Sequence, residues 1–478
     1  MITRRRLLGW GTAVGAVASA AKAFASRLPR LGSIAPQVKK VADTLDGKIY
    51  YKGDSPSYEI QRNGAVWNAR KPNRFPSAIV LAENVNDVIA AVKLAKQRGW
   101  QVGTRSGGHS WTAAHTRDNA VLINISKMKE LSVDPKARIA TVSPAWLGDA
   151  FNKVLAEQYQ LMFPSAHCPR VGLGGFVMCG GHGLNSRLWG PGCANLQAVD
   201  VVTADGELIH ADETKNSDFL WAARGSGPGF FGVVVRFYLN LHSLPTVKKM
   251  STYLFTPDAV DDVLTWFGNN QNSFPRFMEG ALVGNIVDGK PMLHMNGSCL
   301  GYSEKEVDAA LDILEGCPVV KKAVTKRVKF VPMPVGNGDG NNPTGARFLM
   351  DGAWTSAKPA EILSAIREDF SNFPTPQSYM LWLHWGPVQK LKDMAYSVQA
   401  DTYLSPCGIN WDAKQDARCA AWIADVVRKL RPISMGAQMN DENMQFNKAP
   451  YLSKEASARL ETMRKKYDPE HRFVSYLT

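Results

Sequence analysis

The sequence lacks the features expected of a membrane, zinc-binding or disordered protein. Beyond residue 30, no apolar run is long enough to span a bilayer, which argues against an integral membrane protein. The seven cysteines include no CxxC pair and are accompanied by no histidine cluster, which argues against a zinc site. Hydrophobic residues make up 45% of the 478 positions and charged residues 21%. Such a chain can bury extensive cores, and its length favours two domains.

The positive charge is concentrated at the amino terminus. The formal net charge is +13, but residues 1–40 contain eight lysines or arginines and no acidic residue. No basic helix with interleaved aromatic residues follows, which a nucleic-acid-binding surface would require. We therefore expect no nucleic-acid partner.

Residues 1–25 have the organisation of an export signal. Arg4, Arg5 and Arg6 precede two leucines and a short uncharged stretch, and Ala23-Phe24-Ala25 has the small-x-small spacing of a cleavage site. Adjacent arginines before a leucine pair resemble the twin-arginine type, which carries folded proteins. We expect an exported protein, periplasmic or secreted, with no stable membrane span after signal removal. The alternative is a short anchor that is not cleaved.

Hydrophobic periodicity and turn residues predict an α+β protein with two domains. Residues 40–245 mix helices and strands and are expected to form the first domain, completed by residues 450–478. In residues 246–449, the spacing predicts an antiparallel sheet covered on one side by helices. The predicted helices are 84–98, 149–159, 258–270, 304–314, 360–370, 413–430 and 453–466. The predicted strands are 100–104, 120–125, 139–142, 199–203, 207–210, 232–241, 281–287, 292–298, 379–385 and 402–411.

Two glycine-rich segments carry the functional signal. The first runs from Arg105 to Ser110 as Arg-Ser-Gly-Gly-His-Ser and follows a predicted strand. Consecutive glycines allow backbone N–H groups to point into one concavity suited to a diphosphate. The segment is neither a Walker loop nor a Rossmann loop, because it lacks Gly-Lys-Ser/Thr and GxGxxG. Taken alone, it is equally consistent with a tight turn.

The second segment begins at Cys168 as Cys-Pro-Arg-Val-Gly-Leu-Gly-Gly and continues from Cys179 as Cys-Gly-Gly-His-Gly. Its many glycines require a close approach of the backbone to another group. Apolar residues lie between the glycines, which is unusual for a flexible surface loop.

Together, the two segments resemble the flavin-binding loops of the vanillyl-alcohol-oxidase and methylcresol-hydroxylase (PCMH-type) superfamily. Cys-Pro-x-Val-Gly-x-Gly-Gly, followed by a Gly-Gly-x-Gly run, is similar to the berberine-bridge-enzyme-like branch, as is the closing Tyr467-Asp468-Pro469. The resemblance implies a PCMH-type FAD-binding domain plus a substrate-binding domain. It also implies FAD held by two covalent bonds, from His109 to the 8α-methyl group and from Cys168 to C6. The cofactor-binding residues it implies are Arg105, Ser106, Gly107, Gly108, His109, Ser110, Cys168, Val171, Gly174, Gly175, Gly180, Gly181, Gly183, Asn195 and Val234.

The resemblance leaves the catalytic base open. Relatives carry Tyr-x-Asn-Tyr before the last helix, whereas this chain has Gln438-Met439-Asn440-Asp441. Asp441 therefore stands where the relatives have a basic tyrosine, and Tyr403 is the second candidate. Equally, Asp441 could be a surface cap on a loop.

The expected function is an FAD-dependent oxidase that releases hydrogen peroxide. Val171 resembles a residue that is typically valine in members of the branch that use molecular oxygen as electron acceptor. The small-molecule substrate would lose hydride from a C–H next to a hydroxyl or amine of a carbohydrate or secondary metabolite. Two alternatives remain: a dehydrogenase with a different acceptor, and a flavin-carrying protein that sequesters a planar compound without turnover.

Overall fold

Three large β-sheets line one cavity in the described part of the chain, and β-strands of a fourth, two-stranded sheet pair beside them. The computed structural model describes residues 44–330, 343–439 and 447–477. The expected export signal at residues 1–25 and the candidate base Asp441 lie outside these ranges. Within them, no helix has the length and apolarity needed to cross a membrane.

Nineteen strands lie within the described residues. They are β1 (Ile49–Tyr51), β2 (Ala78–Leu81), β3 (Gln101–Arg105), β4 (Ala120–Asn124), β5 (Leu131–Asp134), β6 (Ile139–Val142), β7 (Leu161–Met162), β8 (Leu196–Val202), β9 (Leu208–Ala211), β10 (Val233–Asn240), β11 (His242–Ser243), β12 (Val247–Phe255), β13 (Met278–Val287), β14 (Lys290–Gly301), β15 (Thr325–Phe330), β16 (Arg347–Met350), β17 (Ala353–Thr355), β18 (Tyr379–His384) and β19 (Thr402–Asn410).

Eleven α-helices lie in the same described ranges. They are α1 (Ser57–Gly64), α2 (Val85–Arg98), α3 (Gly148–Tyr159), α4 (Leu173–Met178), α5 (Ser186–Trp189), α6 (Ser217–Ala223), α7 (Val260–Asn270), α8 (Glu304–Asp312), α9 (Pro359–Ile366), α10 (Asp416–Leu430) and α11 (Lys454–Tyr467).

The amino-terminal half contains two large sheets with one helix between them, and a two-stranded sheet in which β7 pairs with β11. The first has the order β1-β2-β4-β3 and the second the order β5-β6-β10-β8-β9. Helix α2 buries Val88 and Val92 in a core shared with β2, β4 and β10. Its ends follow from the sequence, because the Asn84 side chain caps the first turn and Gly99 adopts φ 65° at the last.

The carboxy-terminal segment returns to these two sheets. Helix α11 buries Leu460 and Met463 in the core of the second sheet, beside α3, α4 and α6. After the helix, the chain runs parallel to β3, with the Val102 N–H donating to Arg472 and the Val474 N–H donating to Val102. The last residues of the chain therefore lie next to the end of β3, where the first glycine-rich segment begins.

The third sheet is antiparallel and covered by helices on one face, as predicted. Its order is β15-β12-β14-β13-β18-β19-β16, and β17 also pairs with β19. Helices α7, α8, α9 and α10 pack on one face through a core that includes Phe267, Leu311, Ile366 and Trp382. The α+β expectation is confirmed. Sequence periodicity did not identify β12, β15, β16 or β17, and the second glycine-rich segment contains the short helix α4 rather than a continuous loop.

Candidate active site

The two glycine-rich segments pack directly against each other. An alanine Cβ at residue 107 would lie 2.6 Å from the Gly172 nitrogen, and one at residue 174 would lie 2.8 Å from the Ser106 side chain. Gly108 also needs its left-handed φ of 72°, where an added Cβ would meet the Ala65 carbonyl at 2.4 Å. These glycines are therefore required for the backbones to approach each other.

A cavity of about 380 Å³ lies where these segments meet the third sheet. Twelve of the residues expected to bind the cofactor contribute to its wall. Those that line it are Arg105, Ser106, Gly107, Gly108, His109, Ser110, Cys168, Val171, Gly174, Gly175 and Gly181, joined by Val234 from β10. The third sheet contributes Met350 and Tyr379, and the carboxy-terminal segment contributes Phe473 and Val474.

Three residues that the family resemblance implies as cofactor-binding are not among the lining residues. Gly180 and Gly183 lie behind the wall, where an added Cβ would meet the Tyr396 ring at 2.9 Å and the Ser165 carbonyl at 2.0 Å, respectively. Asn195 is 3% exposed. Its amide donates to the Trp189 and Pro191 carbonyls, and its Oδ1 bonds to a ring nitrogen of His242. These contacts give all three residues packing roles.

His109 and Cys168 are brought together although 59 positions separate them in the chain. Cys168 Sγ lies 3.5 Å from His109 Nε2, and both side chains line the cavity. The imidazole ring also stacks on Trp67, with centroids 4.1 Å apart and planes inclined by 17°. No disulfide joins any of the seven cysteines, all of which fall within the described ranges.

Arg105 and Ser106 hold the first segment in shape. The Arg105 guanidinium donates to the Gly107 carbonyl at 3.0 Å, and burial lowers its pKa. Ser106 Oγ donates to the Pro144 carbonyl at 2.6 Å. By contrast, Ser110 Oγ is buried at the cavity wall and has no hydrogen-bond partner among the described residues. A buried hydroxyl without a partner is costly, so Ser110 indicates a position where a polar ligand group binds.

His167 contributes a charged pair that sequence reasoning missed. Its Nε2 lies 2.7 Å from Glu279 Oε2 on β13, and Glu279 Oε1 accepts from the Asn185 N–H at 2.8 Å. Burial by itself lowers the pKa of His167, but the charge of Glu279 and their hydrogen bond outweigh burial and raise it above 6.5. In the sequence, the only indication of this role was that His167 directly precedes Cys168.

His182 is the second histidine that sequence reasoning did not assign to the site. It lines the cavity, and its Nε2 bonds to the Tyr396 hydroxyl at 2.6 Å. Its ring is surrounded by those of Trp385, Trp354 and Tyr396, with centroids 4.4, 4.9 and 5.5 Å away. Burial lowers the pKa of His182 to about 3, and a hydrogen bond with the Gln438 side chain opposes this shift. In the sequence, the indication that His182 belongs to the site was its position between Gly181 and Gly183.

Tyr403 lies outside the cavity wall. It is 2% exposed and packs against Trp354, with ring centroids 4.9 Å apart. Its hydroxyl faces the backbone of Gly352, where an added Cβ would lie 2.5 Å away. Gln438, which precedes Asp441 by three positions, does line the cavity.

Comparison with known proteins places this site in context. A family model described as an FAD binding domain matches residues 76–212, which include both glycine-rich segments. The chain is 33% identical over 440 residues to the FAD-linked oxidoreductase nodO of Hypoxylon pulicicidum, covering 89% of this chain and 96% of that protein. It is 34% identical over 265 residues to a xylooligosaccharide oxidase of Thermothelomyces thermophilus, covering 54% and 53%.

The fold has solved counterparts. The structure of Physcomitrella patens BBE-like 1 superposes with a TM-score of 0.78 at 19% identity, covering 92% of this chain and 98% of that one. The residues present also fit an FAD group, because a glycine-lined wall, the Ser110 hydroxyl without a partner, and an adjacent imidazole and thiol share one cavity.

Proposed function

Because this chain belongs to the family of FAD-linked oxidoreductases and has the fold of a BBE-like protein, we propose that it is an oxidase with bicovalently bound FAD. The 3.5 Å contact between Cys168 Sγ and His109 Nε2 at the cavity wall carries this proposal. The two flavin positions involved, the 8α-methyl group and C6, lie on the same benzenoid ring. Groups bonded to both must therefore be close neighbours, as the thiol and the imidazole are.

The remaining wall residues have complementary roles. FAD, when bound, supplies a hydride acceptor. Ser110 would donate its hydroxyl to a polar group of the cofactor, and the backbone of Gly107 and Gly108 would receive the diphosphate. His167, whose pKa is raised by the charge of Glu279 and by their hydrogen bond, would in its protonated form place a positive charge at the wall next to Cys168.

For the proton of the substrate hydroxyl or amine, we favour His182 over the two candidates suggested by the sequence. A neutral imidazole at the cavity wall can accept a proton. Burial favours the neutral form of His182, which lines the cavity at its third-sheet side, among Trp354, Trp385 and Tyr396. In the transfer, the substrate O–H or N–H bond breaks and an N–H bond forms on the imidazole.

The substrate class we propose is a carbohydrate or secondary metabolite with an oxidisable C–H next to a hydroxyl or amine. The similarity to a xylooligosaccharide oxidase supports the carbohydrate arm of this proposal. Val171 lines the cavity, in keeping with molecular oxygen as the acceptor and hydrogen peroxide as the product. We further propose export through residues 1–25, with residues 40–245 and 450–478 binding FAD and residues 246–449 binding substrate.

Three measurements on the purified protein test the proposal. Acid-precipitated protein should retain its yellow colour, because covalent flavin stays with the polypeptide. Mixing with oligosaccharides and phenolic or amine metabolites without oxygen should bleach the flavin, and readmitting air should yield peroxide. Release of all flavin into the supernatant would refute the tethers. Binding without bleaching by any compound would favour sequestration, and bleaching without reoxidation by air would favour a dehydrogenase.

A further inference from the structure

We propose that Trp67 positions the His109 imidazole for its bond to the flavin, an inference that rests on the tether proposed above. The indole and imidazole rings are nearly parallel, inclined by 17° with centroids 4.1 Å apart. Such stacking restricts rotation of the imidazole about its bond to Cβ. Trp67 therefore fixes the plane in which the ring nitrogens of His109 lie.

Two further aromatic rings contact the Trp67 indole. The Phe348 ring, on β16, stacks on the Trp67 indole with centroids 4.6 Å apart and planes inclined by 30°. Trp111 packs edge-on against both the Trp67 and the Phe348 rings. The Trp67 backbone N–H donates to the Gly108 carbonyl at 2.9 Å, immediately before His109. Trp67 therefore contacts His109 through its side chain and the residue before His109 through its backbone.

The Asn68 side chain connects the segment that contains Trp67 to the third sheet. Its side chain is 1% exposed, donates to the Phe348 carbonyl at 2.9 Å and accepts from the Phe348 N–H at 3.1 Å. It also donates to the Trp111 carbonyl at 3.3 Å. Residues 66–68 therefore connect the first glycine-rich segment to β16, and a buried amide with this many partners leaves Trp67 little freedom.

Orientation matters because the tether forms by a directional reaction. An N–C bond replaces one C–H bond of the 8α-methyl group and the N–H bond of the imidazole. The two electrons and two protons released reduce the flavin ring, and molecular oxygen then reoxidises it and forms hydrogen peroxide. Misplacement of a reacting group by about 1 Å costs on the order of a hundredfold in rate. A freely rotating imidazole would therefore form its tether slowly, whereas the Cys168 bond would be unaffected.

The test is the flavin occupancy of each tether, measured by peptide mass spectrometry of purified protein. We expect Trp67→Leu to lower occupancy at His109 about tenfold or more, with Cys168 still flavinylated. Trp67→Phe keeps an aromatic platform and should restore most of the occupancy at His109. The matched control is Trp221→Leu, which removes a buried tryptophan from the core of the second sheet and should leave both tethers in place.

A second variant keeps the inference testable should Trp67→Leu fail to fold. Phe348→Leu leaves Trp67 present but removes the ring behind it, and should lower occupancy at His109 by a smaller factor. The positioning role would be overturned if Trp67→Leu kept the wild-type flavin occupancy at His109. It would also be overturned if every Trp67 and Phe348 variant lost flavin equally at both tethers. An unflavinylated His109 in the wild-type protein would instead overturn the proposed tether itself.

Discussion

The contact between the two glycine-rich segments gives the sharpest stability prediction, which is tested by Gly107→Ala. The new Cβ would lie 2.6 Å from the Gly172 nitrogen and 2.8 Å from its Cα, whereas ordinary contacts begin at 3.4 Å. Both neighbouring atoms belong to the backbone, so no side chain can rotate away. The two segments would have to separate by about 0.8 Å.

The expected cost follows from this overlap. Overpacking of a well-packed region destabilises by about 1–3 kcal/mol. With a shift of about 2–4 °C per kcal/mol, the midpoint of thermal unfolding should fall by about 2–12 °C. Gly107 precedes His109 by two positions and Gly172 follows Cys168 by four, so separation of the segments also moves the imidazole away from the thiol. Flavin content should fall together with stability.

The assay compares thermal unfolding and acid-stable flavin in wild type, Gly107→Ala and Gly64→Ala. Gly64 ends helix α1, and an added Cβ there would meet nothing within 4 Å. Its replacement should change stability by less than about 0.5 kcal/mol, or raise it slightly. An unchanged midpoint and full flavin content in Gly107→Ala would refute the reasoning, and so would an equal fall in Gly64→Ala.

Three further predictions concern the cavity wall. Replacing His182 with Gln should slow flavin reduction by substrate at least tenfold in anaerobic stopped-flow measurements; a rate within about twofold of wild type would rule out its role as proton acceptor. Replacing Glu279 with Gln should destabilise the protein most at acidic pH. The folded pKa of His167 is raised above 6.5, so the pair's contribution is present below pH 6.5 and is lost as pH rises through the folded value. A difference in unfolding midpoint that grows with pH would contradict this sign. Replacing Cys168 with Ala should leave acid-stable flavin attached through His109 alone, whereas complete release would show that His109 forms no bond.

The sequence was informative wherever local chemistry decides the structure. Helix α2 was predicted because its apolar residues recur on one face and Gly99 follows its last turn. Asn84, predicted as its first residue, is its N-cap in the structure. Strand β12 was missed because lysines interrupt its apolar alternation. In the structure, Lys249 pairs with Asp308 on α8, and Lys248 is buried with its pKa lowered by burial. Pairing with distant acidic groups makes lysine acceptable in such a strand, and local pattern does not reveal those partners.

The composition of the site could be predicted further than its geometry. Tyr403 and Tyr379 lie on the same face of the third sheet, because Tyr379 pairs with Cys407, four residues along β19 from Tyr403. Four residues correspond to about 13 Å along a strand, which separates the tyrosine at the cavity from the one packed on Trp354. Strand pairing sets this distance, and a single strand's sequence does not contain it.

Contacts between distant segments explain why His182 and Trp67 were not recognised. His182 bonds to Tyr396, 214 positions away, and Trp67 stacks on Phe348, which β16 delivers from the third sheet. Each residue acquires its role only when the third sheet closes over the two glycine-rich segments. The proposed tethering pair, His109 and Cys168, lies within one half of the chain and could be inferred from motifs. The groups that we propose to orient His109 and to accept the substrate's proton depend on contacts between the halves, and these emerge only from the folded arrangement.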